Sequence, residues 1–391
     1  MAAHHEGLVA AGYGTVADAF TAALARSTRG GAALTVMVGG QKVIDLWGGT
    51  ADARDGRAWT QDTPSVTFSC SKGLLAVLVA RLVAAGKIDL DLPAGTYWPE
   101  FGQAGKESIP VRWLLSHQAG LSYPTEDVTK ADVVAWHPVV DKLAAQAPLW
   151  EPGTGYTYHA LTYGWLVGEI VRRVTGQSVG EAFAELVAGP LGARAWFGVP
   201  REELASVAVL AMAPDLDVEA MPLPPEFASL KRAVTLGGAF PSTLAGTGTG
   251  LNDPDIQAAE VPGGGAVATA RALAEIWSST ILPTSTTRPL PQDVVTDMVR
   301  VQSSGQQVLG LPGVPEPSWG TGFMVDSPAR PFLTSSSFGH DGAGGQLAFA
   351  DPTHGVGFGF VTNDARGAGD SRALDILDAL RRSLSKEREI R

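Results

Sequence analysis

Val66-Thr67-Phe68-Ser69-Cys70-Ser71-Lys72 leads from an extended apolar segment into the apolar run Leu74-Leu75-Ala76-Val77-Leu78-Val79-Ala80-Arg81-Leu82-Val83, with a serine and a lysine three residues apart at the junction. One helical turn brings positions i and i+3 onto a common face, so the Lys72 amine can reach the Ser69 hydroxyl without help from a distant loop. Ser69 falls in the first turn of that helix. There the backbone N–H groups are unpaired and the dipole is positive, which favours an attacking oxygen and the oxyanion it creates. The helix is apolar on nearly every face and is expected to be buried, holding the pair rigidly. Burial and the positive helix end both push the Lys72 amine toward its neutral, basic form.

Two further segments carry chemistry. Pro152-Gly153-Thr154-Gly155-Tyr156-Thr157-Tyr158-His159-Ala160 offers three candidate phenols with Tyr163, and without the other motifs these read first as core aromatics with a hydrogen-bonded tip. Phe338-Gly339-His340-Asp341-Gly342-Ala343-Gly344-Gly345 leads into the alternating strand Gln346 to Ala350, and its glycines let the backbone approach a substrate closely. The order S-x-x-K, then tyrosine, then H-x-G resembles the serine β-lactamase and penicillin-binding-protein superfamily, and within it the family VIII carboxylesterases. Leu114-Leu115-Ser116-His117-Gln118-Ala119-Gly120-Leu121 and Pro262-Gly263-Gly264-Gly265 add weaker likenesses, with His117 read as structural.

The resemblance implies a β-lactamase-like α/β (α+β) fold, an antiparallel sheet flanked by helices plus a mostly helical subdomain. It implies Ser69, Lys72 and Tyr158 as catalytic residues, the Ser69 and Ala343 amides as oxyanion hole, and His340, Gly342 and Ala160 against the substrate. Strand signals agree. Ala33 to Val38, Gly39-Gly40 and Lys42 to Trp47 read as a hairpin, and Gly322 to Val325, Gln346 to Ala350 and Val356 to Val361 as three more strands. The two chain ends are expected to share one sheet, flanked by helices around Val16 to Ala25 and Ser371 to Leu384. The expected division is discontinuous: residues 1–75 and 255–391 form the sheet subdomain, and 76–254 the helical subdomain and the wall of the site.

Gly176-Gln177-Ser178-Val179-Gly180 spells a competing G-x-S-x-G nucleophile elbow, which requires a preceding strand. Leu166 to Val174 reads instead as an amphipathic helix stopped by Gly176, so Ser178 with Glu181 is a capping box. Gly246-Thr247-Gly248-Thr249-Gly250 lacks the strand and helix that a dinucleotide fingerprint needs.

A net charge of −11 argues against nucleic-acid and anionic-membrane partners. Cys70 is the sole cysteine, so no intrachain disulfide forms. Met1 to Gly7 has neither a basic n-region nor an apolar h-region, which points to the cytoplasm. His4-His5 is read as an ordinary terminus, and no metal or cofactor is expected.

The reaction class expected is acyl transfer through a Ser69 ester, on a small-molecule ester substrate. Two departures steer away from lactams: class C lactamases place an asparagine where this chain has Ala160, and a lysine where it has His340. A short-acyl carboxylesterase is therefore the first reading. An amidase, D-aminopeptidase, transacylase or weak β-lactamase on the same scaffold is the second, and an inactive binding protein the third.

Overall fold

The computed structural model describes residues 4–220, 228–367 and 369–390. A nine-stranded antiparallel sheet takes strands from both ends of the chain. Its order is Glu6–Val9, Gln41–Asp52, Gly31–Val38, Val356–Thr362, Leu347–Asp351, Phe338–Asp341, Met324–Val325 and Ser318–Trp319, with Arg57–Ala58 branching from the long second strand. The two chain ends meet at its centre, where Ala33 lies opposite Val361 and Val36 opposite Phe358. The hairpin turns at Gly39 and Gly40, both at positive φ (57° and 79°), where a side chain would be strained.

The strand Val356-Gly357-Phe358-Gly359-Phe360-Val361 explains how the sheet is covered. Successive residues point to opposite faces. Gly357 and Gly359 face the helix Ala270–Ile281 so closely that an added Cβ would stand 2.3 Å from the Ala274 carbonyl oxygen and 2.4 Å from that of Ala270. Phe358 and Phe360 face the other way, into a core shared with Val16 and Phe20 of the helix Gly14–Arg26 and Leu377 and Leu380 of the helix Arg372–Ile390.

The helix Cys70–Ala84 runs through the main core, and residues 70–80 are all buried. It is packed beneath the short helices that fill residues 111–183, of which Thr162–Thr175 is the longest. Gly176 ends that helix at φ 73°, and Ser178 caps the next one in a two-way box with Glu181. The G-T-G-T-G stretch forms a small hairpin, Ala245–Gly246 against Thr249–Gly250.

One expected strand is shorter in the structure, and two edge strands are additional. In Gly322 to Val325 only Met324–Val325 pairs, because Gly322 turns toward the buried helix and its Cβ would meet Ala76 Cβ at 2.7 Å. Edge strands Glu6–Val9 and Ser318–Trp319 lack a periodic pattern long enough to announce them. Among the described residues no helix is long and apolar enough to cross a membrane.

Candidate active site

Ser69 stands immediately before the buried helix, with φ −69° and ψ −9°, and its side chain makes no cap bond. The hydroxyl is thereby left for chemistry. Phe68 before it adopts φ 46°, a left-handed conformation that costs an L-residue on the order of 1–2 kcal/mol. Several contacts hold that turn. The Thr67 N–H and hydroxyl both donate to the Ala266 carbonyl, at 2.8 and 3.0 Å, and Ala266 N–H donates to Ser71 Oγ at 3.0 Å. The short strand Ser65–Val66 pairs with Val267–Ala268, so the glycine-rich segment 262–266 is clamped against the nucleophile.

Lys72 is fully buried, with Nζ 3.2 Å from Ser69 Oγ. It also donates to the Ala160 carbonyl at 2.7 Å and the Gly263 carbonyl at 2.6 Å. Burial lowers its pKa to about 7. A neutral amine has two N–H bonds and one lone pair. With two carbonyls holding the N–H groups, the lone pair is left facing Ser69.

The Tyr158 ring lies 4.7 Å from Lys72 Nζ, and its phenol faces the Ser69 hydroxyl. Burial pushes the phenol well above its ordinary pKa, so it is protonated at rest. Its ring stacks on Trp319 (centroids 5.1 Å apart) and meets the edge of His117 at 4.8 Å. His117 is the structural histidine anticipated: it is buried at φ 66°, and its Nδ1 accepts from the His159 N–H at 3.2 Å. His159 is likewise internal, donating from Nδ1 to the Thr157 carbonyl at 2.7 Å and accepting the Leu121 N–H at Nε2. Burial drops its pKa to about 4, so it stays neutral.

A cavity of about 450 Å³ opens over this pair, lined by Ser69, Tyr158, Trp319, Arg330, Gly342 and Ala343 among others. Gln346 shapes the loop at its rim: its carbonyl accepts from Gly342 N–H at 2.8 Å and its side-chain oxygen from Gly344 N–H at 3.1 Å. Among the described residues the Ser69 and Ala343 amides donate to no protein acceptor and so remain available. Ala160 lines a second cavity of about 150 Å³ with Leu230, Ala233, Leu309 and Leu311. Tyr158 and Gln307 border both.

His340 departs from its expected place against the substrate. It is 1% exposed and absent from both cavity walls. The pleat turns it toward the helix Cys70–Ala84, where Gly73 leaves it room, while the next residue, Asp341, reaches the cavity. Its Nδ1 donates to the Asp341 carbonyl at 2.7 Å, and burial takes its pKa to about 3. It is neutral and cannot supply a cation.

A family model described as Beta-lactamase matches residues 16–382. The chain belongs to the beta-lactamase family. A crystal structure of a family VIII carboxylesterase superposes with TM-score 0.85 at 33% identity, covering 97% of this chain and all of that one. EstA from Arthrobacter nitroguajacolicus Rue61a gives TM-score 0.86 at 31% identity, over 98% and 99% of the two chains. The esterase/beta-lactamase LipL of Mycobacterium tuberculosis is 32% identical over 361 residues, 90% of this chain and 81% of that protein.

Within this beta-lactamase-family site, several participants carried no sequence signal as such. Trp319 comes from a two-residue strand, and the Ala160 and Gly263 groups are backbone carbonyls. Gln307 accepts the Tyr158 N–H at 2.7 Å from a loop of irregular sequence. Gln307-Val308-Leu309-Gly310-Leu311 in a Pro/Gly-rich loop offers nothing to find it by.

Proposed function

We propose that the chain is a serine carboxylesterase that cleaves small, short-acyl esters through a covalent acyl-Ser69 intermediate. The observation that carries this reading is the Lys72 amine, buried 3.2 Å from Ser69 Oγ, with its other hydrogen-bonding directions occupied by two carbonyls. Neutral Lys72 takes the Ser69 proton as Oγ attacks the ester carbon. The Ser69 and Ala343 amides hold the resulting oxyanion. The Tyr158 phenol, still protonated because burial raises its pKa, gives its proton to the departing alkoxide and regains one from Lys72. Water then repeats the sequence on the acyl-enzyme. The amine depressed and the phenol raised favour Lys72 as the first base and Tyr158 as the relay.

The carboxylesterase relatives support the reaction class, and two positions support esters over lactams. Ala160 offers no side-chain amide, and His340 is neutral and turned inward. Turnover of p-nitrophenyl esters of increasing acyl length, measured beside nitrocefin and a D-alanyl anilide, tests the assignment. Ester turnover should dominate, fastest for short acyl groups, and a phosphonate inhibitor should add its mass to the peptide holding Ser69. A phosphonate adduct on another residue, or nitrocefin turnover equal to the best ester, would overturn it.

A further inference from the structure

Two guanidinium groups line the cavity over Ser69, and they differ. Arg366 is engaged, hydrogen-bonding the Asp364 carboxylate at 3.0 Å through Nη2 and also donating to the Arg26 carbonyl. Among the described residues Arg330 is ion-paired but makes no side-chain hydrogen bond. Its Nε lies 2.7 Å from Asp341 Oδ2, yet the N–H is not aimed at that oxygen and Nε is shut off from solvent. Among the described residues its terminal nitrogens have no hydrogen-bond acceptor, so the outer edge of the guanidinium is left facing the cavity.

Its backbone, by contrast, is firmly held. Arg330 and Ser327 exchange backbone hydrogen bonds at 3.0 and 3.3 Å across a tight turn that includes Pro328 and is followed by Pro331. The Phe332 N–H donates to the Asp326 carboxylate at 2.8 Å. A turn braced in this way delivers the guanidinium to one place on the wall and leaves its side chain 40% exposed there. Acidic residues share that wall with it. Asp370 is bound by Arg372 at 2.7 Å, and burial raises the pKa of Glu316 beside Gln307. Asp341, whose pKa burial raises while Arg330 lowers it, is the ion-pair partner at the Nε side and leaves the terminal nitrogens of Arg330 unbonded.

We propose that Arg330 forms a carboxylate-binding subsite of this cavity, and that the preferred esters carry an anionic group on one arm. A planar guanidinium with free parallel N–H groups matches a carboxylate in two hydrogen bonds, which a neutral ester cannot supply. The inference rests on the esterase reading of Ser69 and names the substrate class within it. It also separates this site from one that draws its cation from the position of His340, since the charge arrives on a different element.

Matched ester pairs test it. Mono-p-nitrophenyl glutarate against p-nitrophenyl valerate places the carboxylate on the acyl arm, and 4-acetoxybenzoate against phenyl acetate places it on the alcohol arm. In at least one pair the anionic member should have the higher kcat/KM. Arg330→Gln should lower that value about tenfold or more, mainly through KM, and leave the neutral member within about threefold. Arg330→Lys should restore part of the loss. Neutral esters preferred in both pairs, or equal losses for both members in Arg330→Gln, would overturn the subsite while leaving the esterase assignment intact. If no ester is turned over, the esterase assignment fails and calorimetry with glutarate and with 4-hydroxybenzoate decides the subsite. Binding of either that weakens about tenfold in Arg330→Gln sustains it, and binding unchanged or undetectable in the wild type rejects it.

Discussion

The Gly263 carbonyl oxygen stands 2.6 Å from Lys72 Nζ although 191 residues separate the two in the chain. That contact depends on a third residue. Gly164, on the helix Thr162–Thr175, lies so close to the glycine-rich segment that an added Cβ would meet Gly263 N at 2.2 Å. Gly164→Ala must therefore push the Gly263 peptide away from Lys72. The expected result is a loss of kcat of about tenfold or more, with destabilisation of roughly 1–3 kcal/mol from overpacking. Gly176→Ala is the control: its φ of 73° costs stability, yet open space surrounds it and it touches nothing in the site. Equal kcat losses in the two variants would show that Gly164 does not act through Lys72.

Ser69→Ala should abolish p-nitrophenyl acetate hydrolysis without changing the melting temperature greatly. Ser178→Ala should retain activity and lose only its cap, worth about 1 kcal/mol. Activity lost in a folded Ser178→Ala protein and kept in Ser69→Ala would reverse the assignment of the nucleophile.

The lowered pKa of Lys72 sets a pH dependence in activity and in stability. Because the neutral amine is the base, kcat/KM should rise as pH increases through about 7. The same shift carries a stability term with a definite sign. Between pH 7 and the ordinary lysine value near 10.4, the unfolded chain binds a proton at Lys72 that the folded chain does not. Stability of the wild type relative to Lys72→Met should therefore rise over that window, by up to about 1.4 kcal/mol per pH unit. Denaturant melts of both proteins at pH 7, 8 and 9 measure it, and a difference independent of pH would mean the buried amine stays charged.

Ala160→Asn should raise nitrocefin acylation relative to ester hydrolysis by roughly tenfold, the worth of one recovered hydrogen bond of 1–3 kcal/mol. His340→Lys should not help. At 1% exposure, against the rings of Trp319 and Tyr158, an ammonium there is buried and near Lys72. Destabilisation of roughly 3 kcal/mol or more is expected. Stopped-flow acylation and thermal melts read the two effects separately.

The Ser69–Lys72 spacing is legible because both side chains lie one turn apart at the head of a helix whose unbroken apolarity announces burial, whereas Tyr158 is singled out only by the resemblance to the β-lactamase superfamily. The central strands were legible for a similar reason, as in the alternation of glycine and phenylalanine from Val356 to Val361. The supports of the site follow a different logic. Gly263 contributes a carbonyl, which every residue possesses, and Trp319 sits on a strand of two residues, below the length at which periodicity exists. His340 was placed by its motif position, but which face of the pleat it occupies depends on the register of Phe338–Asp341 against Leu347–Asp351. That register is a tertiary fact.

The pairing of Gly31–Val38 with Val356–Thr362 also orders events during synthesis. A nascent chain possesses its Ser69 and Lys72 early, then waits some two hundred residues for the Gly263 carbonyl and longer still for the Ala343 amide. Long-range closure of this kind is slow and comes late. A ribosome-stalled chain ending before the last strands should thus carry an inert serine, so that hydrolytic power appears only once translation has delivered the walls that choose what it cuts.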